Sequence, residues 1–201
     1  SADAKSVLLH DDTLNRTSNG FGSLSALTLS ELAQLDAGSW HSPLYAGETL
    51  ATLSAVAAFL QANDLLTNIE IKPTIGDERR TGASVAFDAA NLWKNAKTPP
   101  LLSSFSTDAL LAAQEACPDL PRGHLFSDVL PDNWLELCKT VGAVAFHANQ
   151  ATLTKEIIAT AHAAKLRVLT YTVNDQARLD LLLQWGIDGI FTDRVDLFKP
   201  D

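Results

Sequence analysis

Short apolar, β-branched runs recur along the chain, separated by longer stretches in which apolar residues return at helical spacing. The runs lie at residues 6–10, 68–72, 101–105, 123–126, 143–147, 167–173 and 188–192. Each is bounded by turn residues and predicts a strand, and they stand too far apart to pair as hairpins. Between them, residues 30–35 predict a helix that stops before Gly38, and residues 52–64 one that opens at Thr52 or Ser54. Val85, Phe87, Leu92 and Trp93 give residues 82–96 a helical face, and Ser106 caps a run that Pro118 terminates. Helical patterns over 132–140, 152–164 and 175–185 complete the set.

Strands alternating with helices mean βαβ units and a parallel sheet. Two architectures fit, a doubly wound open sheet and a (β/α)8 TIM barrel. No glycine-rich dinucleotide fingerprint follows any strand, which favours the barrel. A complete barrel takes about 250 residues, and this chain has 201. The pattern is therefore expected to be a barrel without its first βα unit and most of its second strand. No linker or repeat divides it, so residues 1–201 are expected to form a single domain.

Composition narrows the partners. The hydrophobic fraction is 46% and the charged fraction 19%, ordinary for a globular chain. A net charge of −9 argues against a nucleic-acid partner, because phosphate binding needs massed Lys and Arg. No apolar stretch is long enough for a membrane span. The two cysteines, Cys117 and Cys138, are too few to staple a protein of this size, and a reducing compartment is the simpler reading.

Polar residues gather where the predicted strands end, the face on which barrels carry their chemistry. His10 leads into Asp11 and Asp12; Ser103, Ser104 and Phe105 end one strand; His147 and Asn149, Tyr171 and Asn174, and Asp193 and Arg194 end others. Glu70 and Lys72 carry the sharpest signal. Alternation puts both on one face of their strand, pointing into the barrel if Ile69 and Ile71 face the helices. They are either an ion pair lining the barrel or a site for a ligand or metal, and a hard cation wants more oxygens than one carboxylate supplies. His10 is either an acid/base or a strand-end histidine bonded to its turn, with the aspartates capping the loop. His147 reads as a satisfied barrel-lining histidine, and His41, His124 and His162 as surface or packing residues. Phe105 and Tyr171 either wall a substrate pocket or pack at the rim. Zinc is not expected, since there is no HExxH or CxxC.

The runs LLHDDTLNRTSNGFG and LTLSELAQLDAGSW, then NIEIKPT, PPLLSSF, YTVN and WGIDGIFTD, together resemble the glycerophosphodiester phosphodiesterase family, and most of all its bacterial cytosolic members. The resemblance spans essentially the whole chain. It implies a (β/α)8 barrel in the cytoplasm that hydrolyses a small-molecule glycerophosphodiester to glycerol 3-phosphate and an alcohol with a divalent cation, Mg2+ or Ca2+. It further implies that His10 is one of two acid/base histidines, that Glu70 is a metal ligand and that Lys72 lies against the phosphate. Tyr171 stands where the family often has Trp. A related barrel phosphodiesterase or lyase acting on phospholipid head groups, and a non-catalytic phosphodiester-binding barrel, are the alternatives. The sequence is equally compatible with a monomer and a homo-oligomer.

The family's HRG strand and its Glu and Asp metal ligands would precede Ser1. The chain also starts without methionine and contains none. Both lead to the expectation that the biological protein is longer. Its intact mass, measured on protein from its native source, should exceed 21.6 kDa; a mass equal to that value would refute the expectation.

Overall fold

A computed structural model describes residues 1–198. Six strands, β1 (Asn68–Glu70), β2 (Leu101–Ser104), β3 (Arg122–Phe126), β4 (Ala145–Asn149), β5 (Arg167–Tyr171) and β6 (Gly189–Ile190), form one parallel sheet. Their spatial order is their chain order, and the sheet curls as part of a barrel wall. A doubly wound sheet reverses direction at a switch point, and none exists here. The register advances steadily, Glu70 opposite Ser103, Ser103 opposite Gly123, and Leu125 opposite His147.

The helices are α1 (Leu29–Leu32), α2 (Leu53–Ala62), α3 (Glu78–Leu92), α4 (Thr107–Ala116), α5 (Trp134–Thr140), α6 (Lys155–Ala163) and α7 (Gln176–Trp185). Their starts are written in the sequence. Thr52, Ser106, Thr154 and Asp175 each accept a hydrogen bond from the first turn, satisfying an otherwise orphaned N–H. Thr28 and Glu31 form a reciprocal capping box on α1. Gly186 closes α7 at φ +89°, a conformation that favours glycine.

Alternation sorts each strand. Ile71 lies buried with Ala86 and Ala89 of α3 and Ala109 and Ala113 of α4, and Ile69 packs against the same cluster. Glu70 and Lys72 therefore face inward. Phe126, Phe146 and Val168 join Trp134, Ile158 and Leu182 in the larger cluster under α5, α6 and α7.

The first apolar run departs from expectation. Residues 6–10 form no strand; Val7 makes a single antiparallel bridge to Thr52. Leu53 N–H donates to Ser6 O at 3.0 Å and Leu8 N–H to Ala51 O at 2.9 Å, so the approach to α2 consumes this run's backbone groups. Ser6 Oγ also donates to Asp88 on α3 at 2.6 Å. Among the described residues the predicted seven strands are six, and His10 sits in a loop laid beside β1 rather than at a strand end.

Gly82 on α3 decides how closely α3 and α4 approach. A Cβ there would lie 2.1 Å from the carbonyl oxygen of Ala109, a backbone atom that cannot move aside alone. Helix propensity favours Gly82→Ala by about 1 kcal/mol, whereas overpacking costs about 1–3 kcal/mol. The clash should win, lowering the urea midpoint of Gly82→Ala; a raised midpoint would show that α3 slides freely on α4.

Candidate active site

The segment around His10, β1 with the residues that follow it, and the facing sides of α2 and α3 line a cleft of about 730 Å3. His10, Asp11, Asp12, Glu70 and Lys72 line its polar part, with Leu53, Ile69 and Val85 beneath. Lys72 joins the two halves. Its Nζ donates to the backbone carbonyl of His10 at 2.6 Å and lies 3.9 Å from Glu70 Oε1. The Glu70–Lys72 pair is thus a loose one, with both side chains about one-third exposed.

His10 Nδ1 stands 2.9 Å from Asp11 Oδ1. An ionised carboxylate only accepts, so Nδ1 carries the proton of the neutral ring and Nε2 is left free. Asp11 is itself gripped by Arg16, whose Nε donates to Oδ2 at 2.6 Å and whose Nη2 donates to Oδ1 at 2.7 Å. The Arg16 bonds, and secondarily the one from His10, hold the Asp11 carboxyl well below the usual range. Asp11 does more than cap a loop, the part that one of the two alternatives for His10 assigns to it. Its link to Arg16 was missed because two loop residues five apart have no periodicity to betray them.

Across the strand ends, Phe105 and Tyr171 meet edge to face with ring centroids 6.0 Å apart. Tyr171 donates its hydroxyl proton to Phe126 O at 2.6 Å. Burial, with the negative charges of Asp128 and Glu70, pushes its phenol up to about 12. Asn149 Nδ2 donates to Asp128 Oδ1 at 2.6 Å, and Asn174 Nδ2 to Asp193 Oδ2 at 2.9 Å, so the rim is bonded to itself.

Below the rim the inward face of the sheet buries polar side chains. His147 is fully buried, yet neither ring nitrogen has a hydrogen-bond partner among the described residues, and Ser103 Oγ is equally unpartnered. The expectation of a satisfied histidine fails here. His147 lies over Gly123, where a Cβ would stand 2.7 Å from its Nε2. Only glycine admits the ring. His124 is buried on the helix side, stacked on Phe126 at 4.3 Å and bonded to Thr107 Oγ1 at 2.9 Å. His162 is bonded to Asp188 at 2.7 Å, a partner the sequence did not announce.

The donor set does not by itself fit a divalent cation. Glu70 brings one carboxylate with an ammonium beside it, and no group of three or more His, Cys, Asp or Glu among the described residues is disposed to hold a metal.

The model of the glycerophosphoryl diester phosphodiesterase family matches residues 1–197, and the chain belongs to that family. A glycerophosphodiester phosphodiesterase of Bacillus subtilis is 31% identical over 211 residues, covering 98% of this chain and 71% of its own length. One from Caldanaerobacter subterraneus is 29% identical, covering 95% and 77%. The structure of an Oleispira antarctica phosphodiesterase in complex with the product sn-glycerol-3-phosphate superposes with a TM-score of 0.88 at 33% identity, covering 96% of this chain and 77% of that one. The solved relatives are TIM barrels, as the strand pattern led one to expect. No helix among the described residues is long and apolar enough to cross a membrane.

Burial, and then the neighbouring His124, lowers His147 to about 4. Its unfolded counterpart titrates near 6.5, so the unfolded chain takes up this proton first as pH falls. The associated stability is complete above about pH 6.5 and is lost on descent to about pH 4. Over that window His147→Gln should lose roughly 3 kcal/mol less than the wild type, read from urea midpoints. Equal losses in the two proteins would remove His147 as the cause.

Proposed function

We propose that the protein hydrolyses glycerophosphodiesters to glycerol 3-phosphate and an alcohol, with His10 as its acid/base. The observation that carries this reading is the clamp between the two halves of the cleft. The Lys72 ammonium on the His10 carbonyl puts a cation and a histidine with a free Nε2 on one wall. Family membership supports it, as does the glycerol 3-phosphate held by the Oleispira relative.

Cleaving a phosphodiester requires neutralising the non-bridging oxygens and protonating the departing alkoxide. Lys72 spends one N–H on His10 O and keeps two for the phosphate. Nε2 of His10, unprotonated while Nδ1–H is held by Asp11, takes the proton of the attacking nucleophile and passes it to the leaving oxygen. Glu70 restrains the Lys72 ammonium from the other side. Phe105 and Tyr171 serve as an apolar wall for the organic part of the substrate. The Tyr171 hydroxyl is committed to Phe126 O, so it is not free to donate to a ligand. Among the described residues no group of three or more His, Cys, Asp or Glu is disposed to hold the family's divalent cation, and the roles given to His10 and Lys72 do not depend on it. The free cysteines Cys117 and Cys138 support a cytoplasmic setting; burial pushes the Cys138 thiol up to about 12, leaving it inert.

The test is glycerophosphocholine with and without added Mg2+ or Ca2+, with glycerol 3-phosphate coupled to a dehydrogenase. Product should form, and His10→Ala should lower kcat by about 10²-fold or more. Glu70→Ala should also lower it, and Lys72→Ala should raise KM as well. Absence of product under every metal condition would overturn the assignment, and normal turnover in His10→Ala would overturn the role of His10.

A further inference from the structure

A row of contacts leads away from His10 to a part of the molecule that the reaction does not touch. Asp11 receives His10 Nδ1 and Arg16 Nη2 on one oxygen and Arg16 Nε on the other, so a single carboxylate orients two planar groups. Arg16 in turn lies over the indole of Trp40, its guanidinium carbon 5.8 Å from the ring centroid. That ring is fixed from behind: Trp40 Nε1 donates to Ala37 O at 2.9 Å, and His41 packs against the indole edge-on at 5.5 Å, with Tyr45 behind it. The turn that carries them is tied by Asp36, which accepts from the backbone N–H groups of Gly38, Ser39 and Gly47.

We infer that Arg16, seated on Trp40, is the positioning residue that holds Asp11 where it fixes the His10 tautomer and aims Nε2 at the substrate. The inference rests on the reading of His10 as acid/base. His10 itself is largely exposed, with 81% of its side chain open to water, so nothing packs it into one orientation. Asp11, at 26%, is the more buried partner, and the two-point grip of Arg16 is what leaves it little freedom. A guanidinium suits this task as an ammonium does not, because its flat fork meets both carboxylate oxygens while its face rests on an aromatic ring.

Arg16 and Asp11 act on the His10 ring with opposite signs. Asp11 favours the charged ring, and Arg16 opposes it by neutralising Asp11. The other charged groups around the cleft are Lys5, Asp12, Glu70, Lys72, Asp77 and Arg80; His41 lies beside Trp40. None of these changes in the variants below, so their contribution cancels in the comparison.

The decisive measurement is the tautomer of the neutral His10 ring, read from its 15N chemical shifts in wild type, Arg16→Ala, Arg16→Lys and Trp40→Ala, with His10→Gln for assignment. The Nδ1–H form should predominate in the wild type, give way to a mixture in Arg16→Ala, and be restored only in part in Arg16→Lys, with Trp40→Ala between. In the same set, Arg16→Ala should lower kcat on glycerophosphocholine by about tenfold with little change in KM, the mark of lost orientation rather than lost binding. The acid limb of kcat/KM should move by roughly 0.5 pH unit, upward in Arg16→Ala and downward in Asp11→Asn. A purely structural role would move both limbs the same way or neither. An unchanged tautomer in Arg16→Ala, or limbs moving in the same direction, overturns the inference. Since the tautomer needs no turnover to be read, a wild type that hydrolyses nothing would sink the proposed activity and still leave the role of Arg16 decided by the spectra.

Discussion

The hydrogen bond from the Lys72 ammonium to the His10 carbonyl is the contact on which the site depends. Lys72 follows β1, whose place is set by Ile71 packed against α3 and α4. His10 belongs to a segment with no strand of its own, attached through the Val7–Thr52 bridge and the Ser6–Asp88 bond. The first belongs to the sheet and the second to the approach to α2. A cation reaching from one backbone to the other brings two candidate site residues sixty-two positions apart into one wall. The Glu70 carboxylate, inward on the same face, supplies the opposite charge that makes an ammonium tolerable there.

The interior of the sheet shows a different compromise. His147 and Ser103 lie buried without a side-chain hydrogen-bond partner among the described residues, a cost that sheets of this kind normally avoid. Gly123 makes room for the imidazole, and Phe191, with its ring centroid 5.6 Å away, covers it. Keeping the ring neutral limits the penalty, because an uncharged imidazole loses far less on leaving water than an imidazolium. On the other face of the same wall, His124 finds both Thr107 and the carbonyl of Leu125 and carries no such burden.

Much of this was legible in the sequence. The six strands, the caps at Thr52 and Ser106 and the stop at Gly186 follow from period and capping chemistry, which are local. The inward direction of Glu70 and Lys72 follows from alternation alone. The first run misled because an apolar stretch needs a parallel neighbour to become a strand, and residues 51–53 claimed its backbone first. The Asp11–Arg16–Trp40 row was illegible for another reason: loop residues meet by tertiary packing, which leaves no period behind. The missing partners of His147 were hidden likewise, since satisfaction depends on what the neighbouring strands present rather than on the strand that carries the ring.

The slender attachment of residues 6–8 has a consequence for affinity. Segments held by few backbone bonds open at a free energy well below that of global unfolding. The cleft is therefore a seam between a wall packed against helices and one held by few bonds, closed across it by the contact of Lys72 with the His10 carbonyl. A ligand that touches both walls acts as a clasp. Its apparent affinity is its intrinsic affinity scaled by the fraction of molecules already closed, so residues that never meet the ligand, Ser6, Thr52 and Asp88 among them, help to set how tightly it is held.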